Sequence, residues 1–157
     1  MQRFTAMRGK RSLVPALALG GLIFLGLAGD DENKTNTYVR VDLTAKPAVV
    51  KAGGKGEIQI QFQPIEGIHV NAAPPTVLTL AEDSPVKLTG ESVVPVDSTT
   101  GYLDASKPTT YSFAVKKSAR PGDRKINGTL VYFFCSDKEG WCLRWQDDVS
   151  FTLSVER

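Results

Sequence analysis

The segment "GEIQIQFQP" occupies residues 56–64. In it Ile58, Ile60 and Phe62 alternate with Gln59, Gln61 and Gln63. A period of two puts the three apolar side chains on one face of an extended strand and the three amides on the other. A helix, with 3.6 residues per turn, does not sort them this way. The stretch reads as a half-buried β-strand. Its apolar face requires a second layer to cover it.

The same period recurs on both sides of this segment. "YVRVDLTA" (38–45) sets Tyr38, Val39, Val41 and Leu43 among Arg40, Asp42 and Thr44. "PTVLTLAE" (75–82) and "VKLTGESVVPV" (86–96) are two further candidate strands. "TTYSFAVKK" (109–117) alternates Tyr111, Phe113 and Val115 against Ser112, Ala114 and Lys116. "INGTLVYFFC" (126–135) runs up to the first cysteine, and "DVSFTLSVER" (148–157) keeps Val149, Phe151, Leu153 and Val155 on one face. Turn signals separate them: "KAGGKG", "SPV", "STTG" and "ARPGDRK". Outside residues 1–28 nothing keeps a helical period over ten residues. About seven short strands spaced by turns predict an all-β fold, an immunoglobulin-like β-sandwich, with a closed barrel as the alternative. No internal repeat or low-complexity tract is present. A domain of this size has apolar faces enough for a core without a disulfide.

The N-terminus differs in composition. Arg3, Arg8, Lys10 and Arg11 precede the apolar run "SLVPALALGGLIFLGLAG" (12–29), with no acid among residues 1–28. A basic start followed by an apolar stretch is the pattern of a secretory signal peptide. Gly26 and Ala28 provide small residues for cleavage after Ala28. The run is also close to the length that spans a bilayer, so an uncleaved N-terminal anchor is the rival reading. No cysteine lies near residue 28, which excludes a lipid-modified cysteine. Residues 29–37, "GDDENKTNT", form a polar linker, and residues 38–157 the folded domain. Either reading of the N-terminus predicts a periplasmic or otherwise exported protein, in a compartment where disulfides persist. Without the first 28 residues, 15 basic residues face 17 acidic ones. No basic stripe remains to bind nucleic acid.

The two cysteines, Cys135 and Cys142, flank "SDKEGW". Were this segment helical, seven steps of about 1.5 Å would hold them roughly 10 Å apart, beyond the reach of a disulfide. In a hairpin, directly opposed residues sit about 4.5–5.5 Å apart, and the strand and disulfide readings support each other. Four uses remain open at this level. A cross-hairpin staple would contribute about 2–3 kcal/mol by loop closure. A metal clip lacks ligands, because zinc takes four, or three and water, and the chain holds two cysteines and one histidine. Two free thiols are a hazard in an oxidising compartment. A redox-active pair requires access, which a charged turn provides. Lys138 and Arg144 would lower a thiol pKa, whereas Asp137 and Glu139 oppose them. No cofactor site stands out. Trp145 reads as strand packing. Trp141, on a polar tip, is a candidate to shield the bridge or contact a partner.

His69, the only histidine, stands in "GIHVNAAPP" (67–75), a strand end running into a proline turn. Its ordinary reading is a hydrogen-bonding turn residue, and its functional reading an acid–base or partner-contact role. Asn71, Pro74 and Pro75 read as turn punctuation. "NKT" at Asn33 and "NGT" at Asn127 fit the glycosylation pattern, which is common by chance.

The segment "INGTLVYFFCSDKEGWCLRWQDDVSFTLSV" (126–155) resembles the N-terminal periplasmic domain of the thiol:disulfide interchange protein DsbD. "IEGIHVNAAPPTVLTL" (65–80) and "ARPGDRKINGTLVY" (119–132) also fit that family, so the resemblance covers roughly residues 38–157. It implies an immunoglobulin-like sandwich with the cysteine pair on a hairpin. It implies thiol–disulfide exchange through Cys135 and Cys142, in the manner of a thiol–disulfide oxidoreductase. Reducing equivalents would pass from a thioredoxin-like or membrane dithiol protein to oxidised exported proteins. Cys142 would be the exchange sulfur and Cys135 the resolving one. The family's cap segment would correspond by position to "TTGYLDAS" (99–106), with Tyr102 a candidate partner contact. The resemblance covers that family's N-terminal domain, and its membrane dithiol and thioredoxin-like domains have no counterpart in these 157 residues. The alternative is a non-enzymatic binding or structural module whose disulfide is permanent.

Overall fold

The computed structural model describes residues 36–157. The signal or anchor segment, most of the polar linker and Asn33 lie outside the described residues.

Nine strands follow one another: β1 (Val39–Lys46), β2 (Val49–Lys51), β3 (Lys55–Pro64), β4 (Ile68–Val70), β5 (Val77–Leu80), β6 (Val86–Leu88), β7 (Thr109–Val115), β8 (Gly122–Ser136) and β9 (Trp141–Glu156). They form two sheets. The first has the order β1-β3-β7-β6, and the second β2-β9-β8-β4, with β5 also paired to β8. All pairings are antiparallel except β2 with β9. After the cis Lys46–Pro47 peptide the chain passes from the first sheet to the second. The fold is an immunoglobulin-like β-sandwich. There are two sheets packed face to face, so the closed-barrel alternative falls.

The alternation seen in the sequence is what fills the core. Ile58, Ile60 and Phe62 of β3 are buried, and so are Tyr111, Phe113 and Val115 of β7. From the second sheet come Ile126, Leu130, Tyr132 and Phe134 of β8 and Phe151, Leu153 and Val155 of β9. The Phe62 and Tyr132 rings meet edge to face across the two sheets, with centroids 5.2 Å apart. The Tyr132 hydroxyl donates to Asp147 Oδ2 at 2.8 Å and accepts from Asn36 Nδ2 at 2.6 Å. The buried phenol is thereby satisfied on both sides. The Tyr111 hydroxyl likewise donates to the Thr76 carbonyl.

Gly128 has a specific reason to be glycine. A Cβ there would lie 2.6 Å from the Thr79 carbonyl oxygen. A side chain would push β5 off β8.

Five strands depart from the sequence-based expectation. The candidate strand 86–96 is only β6 plus isolated bridges, Val93 to Thr110 and Val96 to Leu103. Val93 and Val96 are 68% and 53% exposed, so their apolar character does not mark a core face. β2 and β4 have three residues each, too few to display a period. β8 and β9 are much longer than their apolar runs, because strand pairing carries both on past the region where side chains are buried.

Candidate functional site

The β8–β9 hairpin places the cysteines. Its register is continuous over fifteen pairs, from Gly122 opposite Val155 to Ser136 opposite Trp141. Cys135 stands directly opposite Cys142, and the two are joined as a disulfide with their Cα atoms 4.1 Å apart. The strands continue one pair beyond the bridge, so the turn is shorter than the intercysteine segment. It closes with the Gly140 N–H on the Ser136 carbonyl at 2.9 Å, and Gly140 has φ +70°. Glycine reaches that left-handed conformation without a Cβ clash.

The bridge lies on the outer face of the sheet. The even-numbered residues Ile126, Leu130, Tyr132 and Phe134 face the core, so the odd-numbered Cys135 points the other way. Opposed residues of an antiparallel pair share a face, so Cys142 points outward as well. The two cysteines differ in exposure. Cys135 is only 6% exposed, whereas Cys142 is exposed. β4 covers Cys135 from the far side, where His69 is its register partner. The Asn71 Oδ1 lies 3.4 Å from Cys135 Sγ.

A clasp of three side chains borders the bridge. The Tyr102 ring stacks on the His69 imidazole, with centroids 3.5 Å apart and planes 18° from parallel. The Tyr102 hydroxyl donates to the Asp137 carboxylate at 3.3 Å. The His69 Nδ1 lies 3.5 Å from Asp137 Oδ2 and forms an ion pair with it when the imidazole is protonated. Backbone bonds hold the Tyr102 segment in place. Asn71 and Tyr102 form a bridge, and the Leu103 N–H donates to the Val70 carbonyl at 3.0 Å. Partial desolvation and the Asp137 charge raise the Tyr102 pKa, which keeps its hydroxyl a donor.

Trp141 lies on the other side of the hairpin. It is opposite Ser136, on the core-facing side, where its ring meets Tyr38 at 5.2 Å and Phe134 at 6.1 Å. Its Nε1 donates to the Glu139 carboxylate. The structure gives it a packing role at the end of the core and sets it on the opposite face from the sulfurs. The sequence suggested a tip residue because the loop around it is polar. The alternation from Cys142 backward by one residue settles its side. Trp145 is half-buried, as its strand-packing reading expects, and its Nε1 donates to Asp147 Oδ1 at 2.7 Å.

The charges near Cys142 are divided. Asp137 and Glu139 are each engaged by a neighbouring side chain, as above. Among the described residues neither Lys138 nor Arg144 forms an ion pair. Arg144 is two residues from Cys142 along β9 and on the same face. Among the described residues no group of three or more His, Cys, Asp or Glu side chains is arranged to hold a metal ion.

His69, Tyr102, Cys135 and Cys142 are thus brought to one end of one face. Two residues beside them had other readings. Asn71 read as turn punctuation and touches Cys135. Asp137 read as a loop charge opposing a thiolate, and it closes the clasp. The one signal in the sequence was the closeness of Asn71 to His69, since a register that sets His69 against Cys135 brings Asn71 near it as well.

Fold and site together define an immunoglobulin-like sandwich carrying a disulfide at the end of its longest hairpin. No family model and no curated protein sequence matches the chain. Solved structures of similar fold include the seventh ScaB type I cohesin from Pseudobacteroides cellulosolvens, at 13% identity over 74% of this chain and 92% of that one, with TM-score 0.42. The ZirS C-terminal domain is similar at 12% identity over 98% of this chain and 88% of that one, with TM-score 0.39. Murine CRIg is similar at 11% identity over 75% of this chain and 99% of that one, with TM-score 0.38.

Proposed function

We propose that the chain is an exported thiol–disulfide exchange module working through the Cys135–Cys142 pair. The observation that carries this reading is the unequal exposure of the two cysteines: Cys142 is exposed and Cys135 is 6% exposed. An incoming thiolate reaches a disulfide sulfur along the S–S axis and expels the other sulfur. Here the exposed cysteine is Cys142. A partner thiolate bonds to Cys142 Sγ, the Cys135–Cys142 bond breaks, and Cys135 leaves as a thiolate. The partner's second thiolate then attacks its own bridged sulfur. Cys142 is released as a thiolate, the domain is reduced, and the partner holds the new disulfide. In the forward half-reaction the Cys142 thiolate attacks the disulfide of an oxidised exported protein, and Cys135 resolves the mixed disulfide.

The surroundings fit these roles. Arg144 shares the face of Cys142, and a cation beside a thiol favours its thiolate. Asn71 stands beside Cys135 Sγ, where its amide takes a hydrogen bond from the thiol or, turned over, gives one to the thiolate. His69, Tyr102 and Asp137 border the bridge and set how closely a partner approaches. The electron donor is a thioredoxin-like or membrane dithiol protein, the class implied by the resemblance to the DsbD N-terminal domain.

The test is the reduction potential of the pair, read in glutathione or dithiothreitol buffers, together with trapping by a dithiol protein. A potential of about −180 to −270 mV is expected, within the range of exchange proteins. Cys135→Ser is expected to accumulate a mixed disulfide through Cys142, and Cys142→Ser to accumulate none. A potential well below about −300 mV, with no trapped complex, would make the bridge a permanent staple and the domain a structural module.

A further inference from the structure

On its side away from β8, β9 is paired by another strand only at its C-terminal end. β9 runs Trp141–Glu156, and β2 pairs with only Ser154, Val155 and Glu156. The register tells which backbone groups point outward. The Ser154 N–H donates to the Ala48 carbonyl at 2.9 Å, and the Glu156 carbonyl accepts from the Ala52 N–H at 2.8 Å. Both are even-numbered, so the even-numbered residues of β9 turn their N–H and C=O away from β8. The 4.1 Å Cα separation at Cys142 agrees, since short separations belong to pairs that do not exchange hydrogen bonds. Cys142, Arg144, Gln146, Asp148, Ser150 and Thr152 therefore present donors and acceptors to the edge. Among the described residues no strand pairs with them there.

Open edges are normally blunted by proline, bulges or an inward charge. β9 contains no proline, and its pairing with β8 shows no bulge over fifteen pairs. Its one inward carboxylate, Asp147, already accepts from the Tyr132 hydroxyl and the Trp145 Nε1.

We propose that this edge pairs antiparallel with the same edge of a second copy, about a two-fold axis at Gln146. The strand is complementary to itself in that register. Arg144 of each copy falls opposite Asp148 of the other, on the outer face, giving two opposite-charge pairs. On the core-facing side Leu143, which is 39% exposed, falls opposite Val149, giving two apolar pairs. Cys142 falls opposite Ser150, and its side chain stays on the outer face. A slip of two residues sets Arg144 against Gln146 or Ser150 and loses both charge pairs, so the charges select this register. The contact is isologous and closes at two copies, as two-fold symmetry requires. The inference does not rest on the exchange reading, although Arg144 and Cys142 belong to both surfaces.

The test is sedimentation equilibrium on the full chain in mild detergent, with amide hydrogen exchange on the same samples. The wild type is expected to be a dimer with slowed exchange at Arg144, Gln146 and Asp148. Arg144→Asp and Asp148→Arg each turn two attractive pairs into repulsive ones, and each is expected to weaken the dimer by roughly tenfold or more. The double variant R144D/D148R restores the pairs in reverse and is expected to recover it. A wild type that stays monomeric at high micromolar concentration overturns the proposal. So does a dimer indifferent to both single reversals, and so does a monomer whose β9 amides become protected only when an unrelated extended peptide is added.

Discussion

The two faces of the β8–β9 hairpin are built from alternate residues of the same strands, yet they do different work. The core-facing row of Tyr132 and Phe134 is sealed against Phe62, Trp145 and, at its end, Tyr38 and Trp141. The outer row holds His69, Cys135 and Cys142 side by side across three strands. One face is held by area removed from water, the other by a covalent bond and a few polar contacts. A one-residue shift of register would exchange them and drive the sulfurs into the core. The apolar row therefore fixes where the reactive row points.

Substitutions on the two faces should separate along the same line. The largest effect belongs to the sealed face. Phe134→Ala empties a fully buried site and is expected to cost about 3–5 kcal/mol in chemical denaturation. A cost below 1 kcal/mol would mean that the far end of the hairpin is not held by the core. Removing the bridge by the double variant C135S/C142S is expected to cost about 2–3 kcal/mol with the fold retained. Global unfolding of that variant would break the comparison, because the outer face would then be holding the fold.

A smaller effect is expected from Tyr132, and it depends on pH. Burial above all, and then the Asp147 carboxylate, raise its pKa above the ordinary tyrosine value. A group whose pKa is raised on folding contributes stability that is fully present below its unfolded value, near 10. That contribution is lost as pH rises beyond it, because the unfolded chain ionises first. Stability is expected to fall above about pH 10, and to fall less steeply in Tyr132→Phe. Equal slopes in the two proteins would place the alkaline sensitivity elsewhere. Both denaturation curves are read by far-ultraviolet circular dichroism.

Much of the fold was legible from the alternation. β3, β7 and the C-terminal half of β9 have a full period, and every residue assigned to the core in the first two is buried. β2 and β4 were not legible as strands on their own, since a period needs more than three residues to show. β6 was over-read, because Val93 and Val96 are apolar but exposed. At the site, the hairpin and the opposition of the cysteines followed from their spacing with a turn between them. Asn71 and Asp137 did not, because each acquires its role from a neighbour distant in sequence.

What the sequence determined by itself was local: which residues alternate, where the chain turns, and that Cys135 and Cys142 flank one hairpin. These depend on the strand period and on turn chemistry, and both act over a few residues. Only the tertiary structure decided that β4 lies beside β8, and so that His69 and Asn71 meet Cys135 across more than sixty residues. It also decided that Cys142 is open while Cys135 is covered. Which strands become neighbours depends on how two apolar faces close on each other, and no short stretch of sequence contains both.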